Sequence, residues 1–166
     1  MKELISKISS YNLFNYLFPG ALFVVLLKQL TEFSLKQEDI VLSVFFYYFI
    51  GLVISRLGSV LIEPLLKFLR IVKFSEYANY VAASKVDELI VTLSEQNNMY
   101  RTLCSVMLCL GGAKLWEVYA ADFPWVSENL ETIVILGLGG LFVLAYRKQT
   151  AYISSRVERH TNSSEQ

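Results

Sequence analysis

Residues that carry chemistry are scarce in this chain. It has one histidine, His160, and two cysteines among 166 residues. No Cys/His metal-ligand spacing, no glycine-rich phosphate loop and no nucleophile–base pair can be written from it, so no catalytic, cofactor or metal site is expected. The tail run Arg156-Val157-Glu158-Arg159-His160 superficially resembles the Arg…His pair of helical ribonucleases, but its spacing is too short and a second histidine is lacking. Two cysteines are too few for a disulfide framework. Cys104 and Cys109 are five residues apart, which at ~3.6 residues per turn puts the second about 140° around a helix from the first. They are read as small apolar packing residues rather than as a pair.

Charge is also short. Only 18% of residues are charged, against about 25% in a typical soluble domain. The net charge is zero, so no whole-chain attraction to nucleic acid is expected. A cleaved secretory signal is not expected either. No small-residue cleavage site follows the first apolar run, where Lys28, Gln29 and Glu32 stand instead.

What the chain has is apolar blocks, with 54% hydrophobic residues overall. The blocks cover residues 13–30, 40–62, 102–121 and 133–146. A hydrocarbon core ~30 Å thick takes about 20 helical residues. The first two blocks meet that length, the fourth needs its flanks, and the third is broken by Lys114 and Glu117. A re-entrant third segment is the alternative. The runs are continuously apolar rather than alternating, which favours helices over a membrane barrel.

Twelve of the fifteen basic residues fall on one side of a four-span arrangement: Lys2, Lys7, Arg56, Lys67, Arg70, Lys73, Lys85, Arg101, Arg147, Lys148, Arg156 and Arg159. The positive-inside rule makes that side cytoplasmic. The opposite loop, after Lys114, carries Glu117, Asp122, Glu128 and Glu131 with no basic residue. Trp116, Tyr119 and Trp125 suit an outer aromatic belt, and Tyr11, Tyr100 and Tyr146 an inner one. The expected fold is an all-α integral membrane protein with four transmembrane helices, both termini cytoplasmic, and a helical cytoplasmic segment between helices two and three. Its layout is an interfacial segment 1–12, two spans in 13–66, a cytoplasmic segment 67–98, two spans in 99–147 and a tail 148–166.

Within the cytoplasmic segment, Ser84 and Asp87 have capping-box spacing. Val86, Leu89, Ile90 and Leu93 form an i, i+3, i+4, i+7 stripe. Asn97–Asn98 are expected to break or bend this helix. The tail to His160 is expected to continue span four, with 161–166 disordered. Pro19, beside Asn15 and Gly20, marks either a hinge or the boundary between an interfacial helix over 4–17 and a shorter span; the boundary is favoured.

Gly51, Ser55 and Ser59 recur every four residues along span two with Gly58 beside them. This ridge lets backbones approach closely, within the protomer, between copies, or both. Further glycines, Gly111, Gly112, Gly137, Gly139 and Gly140, lie in spans three and four. Arg56 and Lys114 are the candidate functional charges nearest the membrane interior. Snorkelling is enough for Arg56; Lys114 either snorkels outward, pairs with Glu117 at i+3, or carries a function. Glu63 and Arg70 read as an interfacial charge pattern. Arg70, Lys73, Asn97, Asn98, Tyr100 and Arg101 are the candidates for docking a cytoplasmic protein. Asn15, Arg56, Ser105 and Lys114 are the candidates for lining a pore.

Four stretches carry a resemblance. They are Asn15-Tyr16-Leu17-Phe18-Pro19-Gly20, Gly51-Leu52-Val53-Ile54-Ser55-Arg56-Leu57-Gly58-Ser59, Ser94-Glu95-Gln96-Asn97-Asn98-Met99-Tyr100-Arg101, and Arg147-Lys148-Gln149-Thr150. Together they resemble small bacterial multi-span proteins of the kind that serve as membrane partners in anti-phage defence, such as the Kiwa membrane component and the membrane accessory proteins of RNA-targeting CRISPR systems. The resemblance implies an inner-membrane component working beside a soluble partner, and it assigns no residue a role. With the small-residue ridge, the expected function is a homo-oligomeric, non-enzymatic membrane component of a defence or stress system. The rival readings are a homo-oligomeric pore and an enzyme on lipid or RNA.

Overall fold

The computed structural model describes residues 13–35 and 37–162, and these are helices joined by short turns, with no strand among them. Four helices are long and apolar enough to cross a membrane. We label the helices α1 (Leu13–Leu30), α2 (Ile40–Phe68), α3 (Tyr77–Val86), α4 (Leu89–Tyr119), α5 (Pro124–Glu128) and α6 (Leu130–Asn162).

Local signals set the ends. Thr31 closes α1, its hydroxyl donating to the Leu27 carbonyl at 2.7 Å. Asp39 caps α2, accepting from the Leu42 N–H at 2.8 Å. Leu69 ends α2, and Arg70 follows in the left-handed region at φ 58°. There Arg70 N–H donates to Lys67 O and Ile71 N–H to Leu66 O, both at 3.0 Å. That is a Schellman turn with arginine where glycine is usual.

Both long N-terminal rods contain one wide π turn, Leu13–Leu17 in α1 and Gly58–Ile62 in α2. Each turn is followed two residues later by a proline, Pro19 and Pro64. A proline inside an α-helix clashes with the carbonyl four residues back. Those carbonyls belong to Asn15 and Val60, which lie in the widened turns. The π turns therefore let both helices run through their prolines. The favoured boundary at Leu17 is corrected: the helix changes pitch there and continues to Leu30. Residues 1–12, with most of the interfacial helix read over 4–17, lie outside the described residues.

Four further expectations are corrected. The α4 helix runs unbroken through Asn97–Asn98, because neither residue's preference for turns outweighs a rod packed from Thr102 onward. Ser84 is inside α3, its hydroxyl donating to the Val81 carbonyl, so it caps nothing. Asp87 does the capping, accepting the Leu89 N–H at 2.9 Å at the start of α4. The stripe from Val86 to Leu93 is consequently split between two helices, and Val86 is exposed. The α6 rod carries the tail as far as Asn162, past the expected onset of disorder at 161, while 163–166 lie outside the described residues.

Helix α2 is central. It packs against α1 and α4, and α6 lies along its outer side, where Phe49 and Phe142 meet with ring centroids 6.3 Å apart. The small apolar core is Leu27, Ile54, Val106 and Leu110. Much of the rest of the interior is polar or small: Asn15, Ser55, Glu63, Thr102 and Ser105 are buried. Large apolar side chains such as Ile40, Phe45, Leu61, Phe68, Leu136 and Val143 face outward. A water-soluble monomer does not expose apolar surface on this scale; a lipid-facing bundle does, since apolar side chains gain nothing from facing inward there.

Candidate functional site

Close backbone approach and interhelical hydrogen bonds hold the bundle, the contacts that suit helices in lipid, where no hydrophobic force draws them together. The small-residue ridge of α2 supplies both, to all three of its neighbours. At Gly51 an added Cβ would collide with the Tyr16 carbonyl, and at Gly20 with that of Tyr47, so α1 and α2 cross in backbone contact. The Ser55 and Thr102 hydroxyls of α2 and α4 stand 3.3 Å apart, within hydrogen-bond distance. A Cβ on Gly58 would meet the Ser105 hydroxyl and the Arg101 side chain. Ser59 receives Lys148 of α6. All four ridge residues are thus engaged inside the protomer. In contrast, added Cβ atoms at Gly111, Gly112, Gly137, Gly139 and Gly140 meet nothing within 4 Å.

One turn beyond the ridge lies the most concentrated charge of the molecule's described residues. Glu63 is 7% exposed. Its carboxylate receives Lys67 Nζ at 2.9 Å, Arg101 Nη1 at 2.7 Å and Lys148 Nζ at 3.3 Å, which ties α2, α4 and α6 together. Arg70, which the sequence reading set on the same face as Glu63, lies past the end of the helix and is exposed. The shared helix face is therefore corrected.

The backbone explains why Lys148 is there. In the π turn, Glu63 N–H donates to the Gly58 carbonyl. In the same register Pro64 would serve Ser59, but proline has no N–H. Lys148 Nζ supplies the missing donor, reaching the Ser59 carbonyl at 2.6 Å and its hydroxyl at 3.0 Å. The three protons of Lys148 are thereby all engaged.

The other candidates disperse. Arg56 donates to the Tyr16 hydroxyl of α1 at 3.2 Å. Lys114 pairs with Glu117 at 3.0 Å on the exposed side of α4. Arg70, Lys73, Asn97 and Tyr100 are exposed, whereas Arg101 turns inward to Glu63 and the Asn98 carbonyl accepts the Thr102 hydroxyl at 2.9 Å. Asn15 and Ser105 are buried between helices while Lys114 is exposed, so the four pore candidates line no common path within one protomer. Cys109 packs on the core and Cys104 faces out; both are free. Among the described residues, no group of three or more His, Cys, Asp or Glu side chains is placed to hold a metal ion.

Beyond the cluster, α4 and α6 continue in the direction away from Trp125. From Arg101 back to Leu89, and from Lys148 on to Asn162, each runs a further ~20 Å at ~1.5 Å per residue. Helix α3 packs on α4 and reaches α6 through Tyr77 and Tyr152, whose rings are 5.4 Å apart. The turn before α3 folds back so that Lys67 Nζ stands 4.2 Å from the centre of the Phe74 ring.

The sequence reading missed Glu63 as a centre and did not single out Lys67 or Lys148. A signal was available. A carboxylate at the end of a long apolar run needs cations at matching depth on neighbouring spans, and Arg101 and Lys148 have that depth.

No protein family, no curated protein and no solved structure matches this chain.

Proposed function

We propose that this chain is a membrane-embedded component of a bacterial anti-phage defence or stress system. In this reading it crosses the inner membrane four times with both ends in the cytoplasm, forms homo-oligomers, and docks a soluble cytoplasmic protein. The observation that carries the docking role is the helical layer past the Glu63 cluster, made of α3, the first turns of α4 and the far half of α6. Such a layer is more than a topological turn between spans requires. With the turn that leads into α3, it presents Arg70, Lys73, Asn97 and Tyr100 outward. The defence setting is supported by the sequence resemblance, and the orientation by the basic residues gathered at this end.

Co-expression with the products of adjacent genes tests the role. The expected result is a stable complex in lipid nanodiscs that Arg70→Glu with Lys73→Glu weakens at least tenfold, and a loss of phage protection with the same double variant. A monomer that binds none of those products overturns it.

A second reading, a pore between copies, is favoured by the uncovered glycines of α4 and α6, where another helix can approach closely. Dye release from liposomes decides it. A sealed membrane both alone and with the partner bound removes the pore.

A further inference from the structure

We propose that the Glu63 cluster binds the phosphate of an anionic phospholipid headgroup, with Lys67 and Arg101 as its ligands. The charges do not balance within the protein. Three cations meet one carboxylate, leaving a net +2. The donors do not balance either. Lys148 is fully engaged, but Lys67 Nζ gives one hydrogen bond, to Glu63, and is 43% exposed. Arg101 gives one from Nη1 and is 20% exposed; its Nε is buried without a hydrogen-bond partner, so the donors it can offer a ligand are those of its guanidinium end. Two partly open cations with spare donors, held a fixed distance apart by Glu63, need an acceptor-rich anion.

The depth fits a headgroup. Glu63 is 23 residues from Ile40, and Arg101 and Lys148 are each 18 residues from Tyr119 and Leu130. At ~1.5 Å per residue these are about 27–35 Å, which matches a hydrocarbon core of ~30 Å. The cluster therefore sits where acyl chains give way to phosphates, and basic pockets between helices at that level take anionic headgroups. The flanks fit a lipid rather than a free anion. Leu61 and Leu65 of α2 and Tyr146 of α6, all within a turn of the cluster in sequence, are exposed and offer apolar surface for acyl chains. Access is through Lys67, the most open of the three cations at 43% exposed, while α6 packs chiefly on α2.

The proposal needs only that these helices cross a bilayer. It is independent of the partner-docking role, which uses the layer beyond the cluster. The test compares the full chain in phosphatidylcholine nanodiscs with and without phosphatidylglycerol, reading retained lipid by native mass spectrometry and melting temperature in parallel. Preferential retention of phosphatidylglycerol and a higher melting temperature are expected. Lys67→Gln should weaken that retention about fivefold, the equivalent of ~1 kcal/mol for one basic residue at the surface, and it leaves Arg101 and Lys148 to hold Glu63. Arg101→Gln should weaken it at least as much. Lys114→Gln, at the other end of α4, should change nothing. Equal retention of both lipids overturns the proposal, as does phosphatidylglycerol retention unaltered by Lys67→Gln. Equal protection by inorganic phosphate in phosphatidylcholine discs overturns the lipid assignment in favour of a free anion. Should Arg101→Gln fail to fold, Lys67→Gln decides alone.

Discussion

At the scale of single residues, Glu63 and its cations are unequal partners. Removing the buried carboxylate leaves three part-exposed cations facing one another with nothing to neutralise them. Glu63→Gln should therefore destabilise the protein by about 3 kcal/mol, toward the low end for breaking a buried pair because the cations retain some exposure. Lys67→Ala should cost below about 1 kcal/mol, as its half-open salt bridge is screened. Lys148→Met should cost more than Lys67→Ala, since it also strips the Ser59 carbonyl of its donor. Reversible unfolding in one detergent ranks the three, and a Glu63→Gln no more harmful than Lys67→Ala refutes this account. Little of this was legible from spacing along the chain. The sequence shows Glu63 and Lys67 at i, i+4, but Arg101 and Lys148 are 38 and 85 residues away. Only a helix order and a depth for each span bring them together. Lys114 with Glu117 was legible for the opposite reason, because both partners lie on one helix three residues apart.

At the scale of elements, prolines and small residues decide how the helices run and cross. Pro64 withdraws an N–H, Ser59 keeps an idle carbonyl, and Lys148 answers from another helix. Restoring that N–H with Pro64→Ala should make Lys148 less important. In a double-mutant cycle, Lys148→Met should cost about 1 kcal/mol less in the Pro64→Ala background than alone, within the usual range for coupled neighbours. Strict additivity rules out the link. The end of α2 allows a second test. Arg70 occupies a backbone region costly for a side chain, so Arg70→Gly should stabilise the fold by about 1 kcal/mol while Arg70→Ala should not. Both variants lose the side chain, so both should weaken partner capture equally if that side chain docks the partner. The four apolar rods were legible from hydropathy because each is long and continuous. The π turns were not, since a proline predicts disturbance without saying how a helix absorbs it. The Asn97–Asn98 break was misjudged for a related reason: local preference is weak beside the packing of Thr102, Ser105 and Val106 a turn later.

At the scale of the whole molecule, the distribution of surface and charge together fixes what must be tested. The described residues bury small and polar side chains and turn large apolar ones outward, so the bundle suits lipid. The basic residues then predict which end faces the cytoplasm. The least certain crossing by composition is α4, which carries Lys114 and Glu117, yet it is a single rod from Leu89 to Tyr119. Lys114 and Glu117 pair with each other within about two turns of its end, near enough to reach an interface by snorkelling if α4 crosses. In a background with Cys104→Ala and Cys109→Ala, single cysteines at Glu128→Cys, between α4 and α6, and Asn79→Cys, within α3, report the two ends of α4. A membrane-impermeant maleimide should label Glu128→Cys in intact spheroplasts and Asn79→Cys only after permeabilisation. The reverse pattern would invert the orientation while keeping the span. Labelling of both from the same side would mean that α4 does not cross. The basic far half of α6 would then lie outside if α6 alone crossed after it, against its own charge. The proposed crossing of α2, α4 and α6 is what would put Glu63 and its cations at one membrane depth, so the two labels test the setting of the charge cluster as directly as they test the topology.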